Sequence, residues 1–477
     1  MKITRHLVPV WIAVVLLAAV PAMPQQALTR AELDALRDRV QQLERQNTEF
    51  QEQLRLLRQE LDSRTQPPSS VTPAGAPEAV SPEARLEALE EKIEVHAGRL
   101  LEHERVKVEG TQRAAVKLSG MLLFNAFANS RYGGGTDFPR FASIDPSPIA
   151  AGANFRQSVI GLEVQSPEAI LGGQFRGAVF VDFFTGLDAS PSNLAIPVRL
   201  RTAWIEGQWK TRAILVGQER PIFAPREPTS LARIGFTPLV GSGSLYFWEP
   251  QIRLEQKLNL GGRQELRARI GVVQTNEAAT QRGIPAQIAA LLTPRRPGVE
   301  GHFQFSHQFD DFRRIEIAPG FHRSTTHVAG VSVPANVFSL DWFFNPHRRV
   351  EFTGALFRGQ NLVKFAGGGA QQGITVLSAR PGAVVIIPVH TRGGWAQITL
   401  HATSRLSFNL YGGEDDPNNR DLPVTGVARN LTYAGNLLYR LAPNVVVALE
   451  ASQARTRFMN GQHPLINHYD LAVAYSF

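Results

Sequence analysis

From about residue 116 to its last residue the chain keeps one rhythm. Every second side chain is apolar, and the ones between are polar or charged. "RQELRARIGVVQ" sets Leu266, Ala268, Ile270 and Val272 against Glu265, Arg267 and Arg269. "QIRLEQKL" sets Ile252, Leu254 and Leu258 against Arg253, Glu255 and Lys257, and "RRVEFTGALF" sets Val350, Phe352 and Leu356 against Arg349, Glu351 and Thr353. "SRLSFNLY" repeats the alternation, with Arg405 on the charged side. A period of two is that of a β-strand with two unlike faces. Strands of about ten residues built this way fit a half-solvated sheet, or a barrel wall between lipid and a wet lumen.

The connections choose between these. Sixteen strand-like runs follow residue 116, and the breaks between them alternate long and short. Long breaks fall near 131–153, 185–197, 219–250, 276–297, 325–334, 362–391, 413–426 and 458–464. Short ones are "SPEA" at 166, "KTR" at 210, "GG" at 261, "DD" at 310, "NPHR" at 345, "TS" at 403 and "AP" at 442. Membrane barrels show this asymmetry, with short periplasmic turns and longer outside loops. The expected fold is all-β and transmembrane: an antiparallel up-and-down barrel of about 16 strands, within a range of 14–18, over residues 116–477. In lipid an unpaired strand edge leaves amides and carbonyls without partners. The final "NHYDLAVAYSF" must therefore pair with the first strand, "KLSGMLLFNAF".

Upstream the period is different. Residues 1–22 read as a secretory signal: Lys2, Arg5 and His6, an apolar stretch from Leu7 to Val20, and small residues before a cut after Ala22. Over 28–62, Leu33, Leu36, Val40, Leu43, Asn47, Phe50, Leu54, Leu57 and Leu61 step by three and four. That is a coiled-coil seam, and Asn47 at an a position would fix register and strand number. Residues 63–82 form a Pro-, Ser- and Ala-rich linker. A second, shorter helical segment follows over 83–110, with His96 and His103 on seam positions: polar substitutes there, or a ring able to bind metal. An even strand count leaves both barrel ends on the short-turn side, placing the coiled coil in the periplasm.

Cysteine is absent, which removes disulfides, thiolate metal sites and cysteine nucleophiles. No "HExxH" and no nucleophile elbow occur. "RYGGG" and "FAGGG" lack the Gly-Lys-Ser/Thr ending of a phosphate loop. Neither catalysis nor a cofactor or metal is expected. Basic residues are dispersed over strands without aromatic clusters, so nucleic acid is not an expected partner.

The terminal "HYDLAVAYSF", "KLSGMLLFNAF" at the barrel start, "GGWAQITLHATSRLSFNLYGGEDD" and "RNLTYAGNLLYRLAPNVVVALEASQARTRF" together resemble the bacterial outer-membrane porin superfamily. In layout they resemble phosphate-selective-type porins with an amino-terminal coiled coil. The resemblance implies outer-membrane lipid as surroundings, the barrel assembly machinery as a partner in biogenesis, and a homotrimer.

Charge indicates what such a lumen would prefer. Residues 117–477 carry 35 basic and 25 acidic side chains, and 31 of the basic ones are Arg. A charge facing lipid at mid-depth costs roughly 2–4 kcal/mol. Arg253, Lys257, Arg267, Arg269, Arg349 and Arg405 are therefore expected to line the pore and favour small anionic solutes. Glu255, Glu265 and Glu351 share those faces, so cross-strand ion pairing is the alternative. The third long connection holds Glu219, Arg220, Arg226, Glu227 and Arg233, which would orient a solute if the loop folds into the pore, or else pack among neighbouring loops. The expected function is passive diffusion of small hydrophilic solutes with weak anion preference. The alternative is a structural anchor tethering the outer membrane to the cell wall or to a periplasmic partner.

Overall fold

The computed structural model describes residues 115–477, apart from 167–168, 170, 185–196, 276–291, 295–296, 329–330, 371 and 381–382. The expected signal peptide, the expected coiled coil with Asn47, the linker and the expected second helical segment lie outside the described residues.

The strands are β1 (Ala115–Asn129), β2 (Ala150–Asn154), β3 (Val159–Gln165), β4 (Gln174–Asp182), β5 (Arg199–Gln208), β6 (Arg212–Glu219) and β7 (Glu249–Gly261). They continue as β8 (Gln264–Val273), β9 (Leu292–Pro294), β10 (Gly298–Gln308), β11 (Arg314–Val328), β12 (Val331–His347) and β13 (Val350–Gln360). The last are β14 (Ile374–Arg380), β15 (Ala383–Pro388), β16 (His390–His401), β17 (Leu406–Pro417), β18 (Val427–Ala442), β19 (Val445–Phe458) and β20 (Leu465–Ser476).

Eighteen of these form one sheet, each antiparallel to its neighbours. Two staves are built from two strands each. β2 and β3 both pair with β1, at Asn125–Asn129 and at Ala115–Met121. The hydroxyl of Ser158 accepts from Leu123 N at 2.9 Å and bridges the interruption. β9 and β10 pair with β11 in the same tandem way. The wall thus has the sixteen staves expected, and the hairpin β14–β15 stands apart in a small sheet of its own.

Closure falls where the terminal pattern required it. Met121–Asn129 of β1 pair with Ser476–His468 of β20. Gly120 N donates to Phe477 O at 3.0 Å, and Phe477 N to Gly120 O at 3.1 Å. The site is glycine because a Cβ there would meet Val159 O at 2.4 Å and the Phe477 ring at 2.8 Å. Outside the ring the large apolar side chains stand exposed, among them Leu254, Ile270, Leu356, Leu410 and Leu471. So continuous a band of apolar surface is far larger than a water-soluble monomer exposes, and lipid is what covers it.

Two connections depart from expectation. The break expected at 325–334 is mostly strand: β11 and β12 stay in register up to Val328 and Val331. Thr325, Thr326, Ser332 and Pro334 read as loop composition, but Thr is at home in a pleated wall and Pro is tolerated where no ladder donor is needed. The break expected from residue 413 likewise begins later, since β17 runs to Pro417.

Candidate functional site

On the inner face of β4–β8, alternation sends the charged residues inward because their neighbours in sequence face lipid. There they form a ladder. Arg176 reaches Glu206 at 2.7 Å, and Arg253 lies 3.7 Å from the same carboxylate. Glu255 receives Arg269 at 2.7 Å, Lys257 at 3.6 Å and Arg267 at 3.7 Å, and Arg267 also meets Glu265 at 2.9 Å. Five cations share three carboxylates, so the ladder is ion-paired and still positive.

The connection 220–248 folds into the barrel and crosses it. Ile222 N donates to Glu300 Oε2 on β10 at 2.7 Å, and Ser339 of β12 donates to Phe223 O at 2.8 Å. Arg226 is held by Asp341 at 2.5 Å and by Glu316, and Asp341 in turn lies 2.7 Å from His302 Nε2. On the far side, Thr229 N donates to Gln397 at 2.7 Å, Asn436 to Thr229 O at 2.8 Å, Ser230 to Glu450 at 2.5 Å and Asn125 to Leu231 O at 3.0 Å. Gln157 donates to Ala232 O at 2.9 Å and accepts from both Ile234 N and Gly235 N at 2.8 Å. Gly243, at φ +101, lets the loop backbone lie against the wall: a Cβ would sit 2.1 Å from Gly394 O. A second connection joins it inside. Phe365 packs on Phe223 with ring centroids 4.9 Å apart and accepts from Tyr246 N, while Lys364 forms a fully buried ion pair with Glu249.

Beneath the loop a polar cavity of about 980 Å³ is lined by turn residues Gly261–Arg263 and Asp311, by Arg267, Arg269, Arg314, Glu265 and Glu316, and by Pro225 and Arg226 of the loop. It runs from the short-turn end of the barrel to the underside of the loop.

No protein-family model matches the sequence, and no curated protein matches it either. Solved structures do. The outer membrane channel DcaP of Acinetobacter baumannii aligns over 78% of this chain and 100% of its own, with 14% identity and a TM-score of 0.59. An anion-selective porin from Comamonas acidovorans aligns over 76% and 100%, with 12% identity and a TM-score of 0.51. The fold is that of the bacterial outer-membrane porins.

In this barrel the residues singled out from sequence divide into three groups. Arg253, Lys257, Arg267 and Arg269 point inward and enter the ladder, each within 4 Å of a carboxylate. Arg349 and Arg405 are not part of the inner wall: they stand exposed in the short turns before β13 and β17. Their alternation is continuous with the strand, but each strand starts one residue after them. Of the loop residues, Arg226 reaches the opposite wall and borders the cavity. Glu219 ends β6 and accepts from Arg220 N at 2.8 Å, and Arg220 pairs with Glu227 at 2.6 Å. Arg233 is withdrawn from the lumen, buried over the Phe138 ring and donating to Pro139 O. Sequence reasoning missed the amides that grip the loop, Gln157, Gln397 and Asn436, and Asn409, which bonds to the last two from the wall. In a strand they read like any polar residue facing water. It also missed Lys364 and Phe365, since a Gly-rich stretch after them reads as a loop tip.

Proposed function

We propose that this chain is an outer-membrane porin through which small hydrophilic solutes diffuse passively, with a weak preference for anions. The carrying observation is the inner ladder, where five cations share three carboxylates beside the polar cavity beneath the loop. A wall of net positive charge raises the local anion concentration and lowers the barrier to anion passage. Paired arginines attract less than free ones, which is why the preference is weak. The inserted loop supports the reading, since it narrows the lumen and sets Arg226 at the head of the cavity. A homotrimer and a periplasmic coiled coil over 28–62 belong to the same proposal and rest on the heptad seam. Cross-linking of the full chain checks them.

The test is the reversal potential in planar bilayers under a KCl gradient. Ohmic steps that favour chloride are expected. Arg267→Gln with Arg269→Gln should move the potential toward cation selectivity. Protein that inserts without any conducting step would sink the porin reading and leave the anchor.

A further inference from the structure

Near the long-loop end, the wall between β5 and β7 is not closed by a ladder. The β5–β6 ladder ends at Ala203 and Gln218, and β6 itself ends at Glu219, so Arg199–Thr202 run on along β4 alone. A side chain stands where backbone pairing would continue: the amide of Gln218 donates to Leu200 O at 3.3 Å and to Arg201 O at 2.9 Å. β5 is also bulged here. Phe180 pairs with Thr202 and Val181 with Leu200, which leaves Arg201 as the extra residue. Without the bulge, the parity of Ala203 and Ile205 would send Arg199 and Arg201 into lipid. With it Leu200 faces out, and both arginines meet Asp182 on the inner side, at 2.6 and 3.0 Å.

A cavity of about 370 Å³ occupies this gap, a size within the range of small-molecule sites. Its lining mixes the two faces of the wall. Leu200, Gln218 and Pro250 have the parity of lipid-facing residues, while Arg199 and Glu249 belong to the inner face. The cavity therefore reaches from the lipid side to the inner face of the sheet. The returning end of the inserted connection adds aromatic rings. Tyr246 stands edge-on to Trp248 with centroids 5.1 Å apart, and the Arg199 guanidinium lies 4.8 Å over the Trp248 ring. On the outside the cavity continues into an apolar groove of about 590 Å³ along Val216, Ile252, Val272 and Pro297. The two share Pro250 and Gln274.

The chemistry changes along this path. The groove is hydrocarbon, and the inner end is cationic. Lys364 is matched by Glu249, but Arg199 and Arg201 divide one carboxylate between them, which leaves one positive charge over. The hydroxyl of Tyr246 is buried and has no hydrogen-bond partner among the described residues. Buried polar groups are normally paired, so this donor is short of an acceptor. Lipid tails alone would fill the groove and leave both the charge and the hydroxyl unmatched.

We propose that the gap between β5 and β7 is a lateral binding site for a single-chain amphiphile with a carboxylate head, of the fatty-acid class. The tail lies in the groove. The head enters the gap, accepts from the Tyr246 hydroxyl and faces Arg199. One carboxylate balances the one surplus cation. The site is separate from the ladder of the lumen, so a barrel that proved sealed to ions would leave it intact.

The test uses the purified full chain in nonionic detergent, with native mass spectrometry and thermal unfolding as readouts. One dodecanoate per chain should be retained and should raise the unfolding midpoint. Dodecanol, with the same tail and no charge, and butanoate, with the same head and little tail, should each be retained at least tenfold more weakly. Tyr246→Phe keeps the ring and loses only the unpartnered hydroxyl, so it folds as the parent does and should weaken retention about tenfold. Val272→Trp narrows the groove from the lipid side and should weaken dodecanoate severalfold while bilayer conductance stays unchanged. Equal retention of dodecanol, or full retention of dodecanoate by both variants, overturns the proposal. So does equal retention of dodecyl phosphate, which would make the gap a general anion site.

Discussion

The two halves of the inner wall face the same lumen with different chemistry. β4–β8 present Arg and Glu in a ladder beside open space. The wall from β16 through β20 to β1 presents amides and hydroxyls, among them Gln397, Asn409, Asn436 and Asn125, and these are buried under the inserted loop. Burying an unpaired charge costs far more than burying an amide whose hydrogen bonds are made. An amide also donates and accepts at once, which suits a loop backbone that offers both N–H and C=O. Cations therefore stay where water stays, while on the side from which water has been displaced amides and hydroxyls predominate, and the buried carboxylates there, Glu450 and Asp470, accept hydrogen bonds from Ser230, Asn436 and Asn125. One wall borders open space, the other holds the inserted loop in place.

The largest effect expected from breaking this division comes from excising residues 222–246. The amide wall would then face water, and single-channel conductance should rise severalfold with selectivity reduced. An unchanged conductance would show that the loop does not narrow the passage. Next is Gln157→Leu, which removes a side chain bonded to Asn125, Ala232, Ile234 and Gly235. Leaving such groups unpaired costs about 1–3 kcal/mol, to be read as a lower unfolding midpoint in detergent with selectivity little changed. Glu255→Gln should do the reverse: little loss of stability, but a reversal potential moved further toward anions, since Glu255 balances three cations.

The smallest effect is at Asp310, in the short turn before β11. Backbone N–H groups of Arg313 and Phe312, then the Arg313 guanidinium, hold its carboxyl down to about 2. A depressed pKa adds stability above the unfolded value, and that contribution is lost as pH falls through about 2. Asp310→Asn should thus differ from the parent fully above about pH 4 and progressively less down to about pH 2, and only slightly throughout, because the turn is solvent-exposed. A large change at neutral pH would contradict this.

Much of the architecture was legible in the chain. Alternation told which way Arg253, Lys257, Arg267 and Arg269 point, because lipid forbids the other face. Loop parity told the stave count, and the final aromatic strand told where the ring shuts. What period two does not carry is depth and what stands opposite. Arg349 and Arg405 keep the rhythm yet sit in turns. Arg233 looks like Arg226 in the sequence, but one is sealed over Phe138 and the other spans to Asp341. Gln397 and Asn436 would look the same on a wet wall as beneath a loop. The last two facts depend on contacts between residues more than ninety positions apart, and no local pattern encodes them.

The rung between Gly120 and Phe477 makes the first and last staves a hairpin that merely lacks its turn. Topologically the ring has no beginning. A circular permutant joined across that seam and reopened within 418–426 would keep every ladder pairing while exchanging which stave is synthesised first. Assembly of such a permutant would separate what the completed cylinder needs from what its order of synthesis needs.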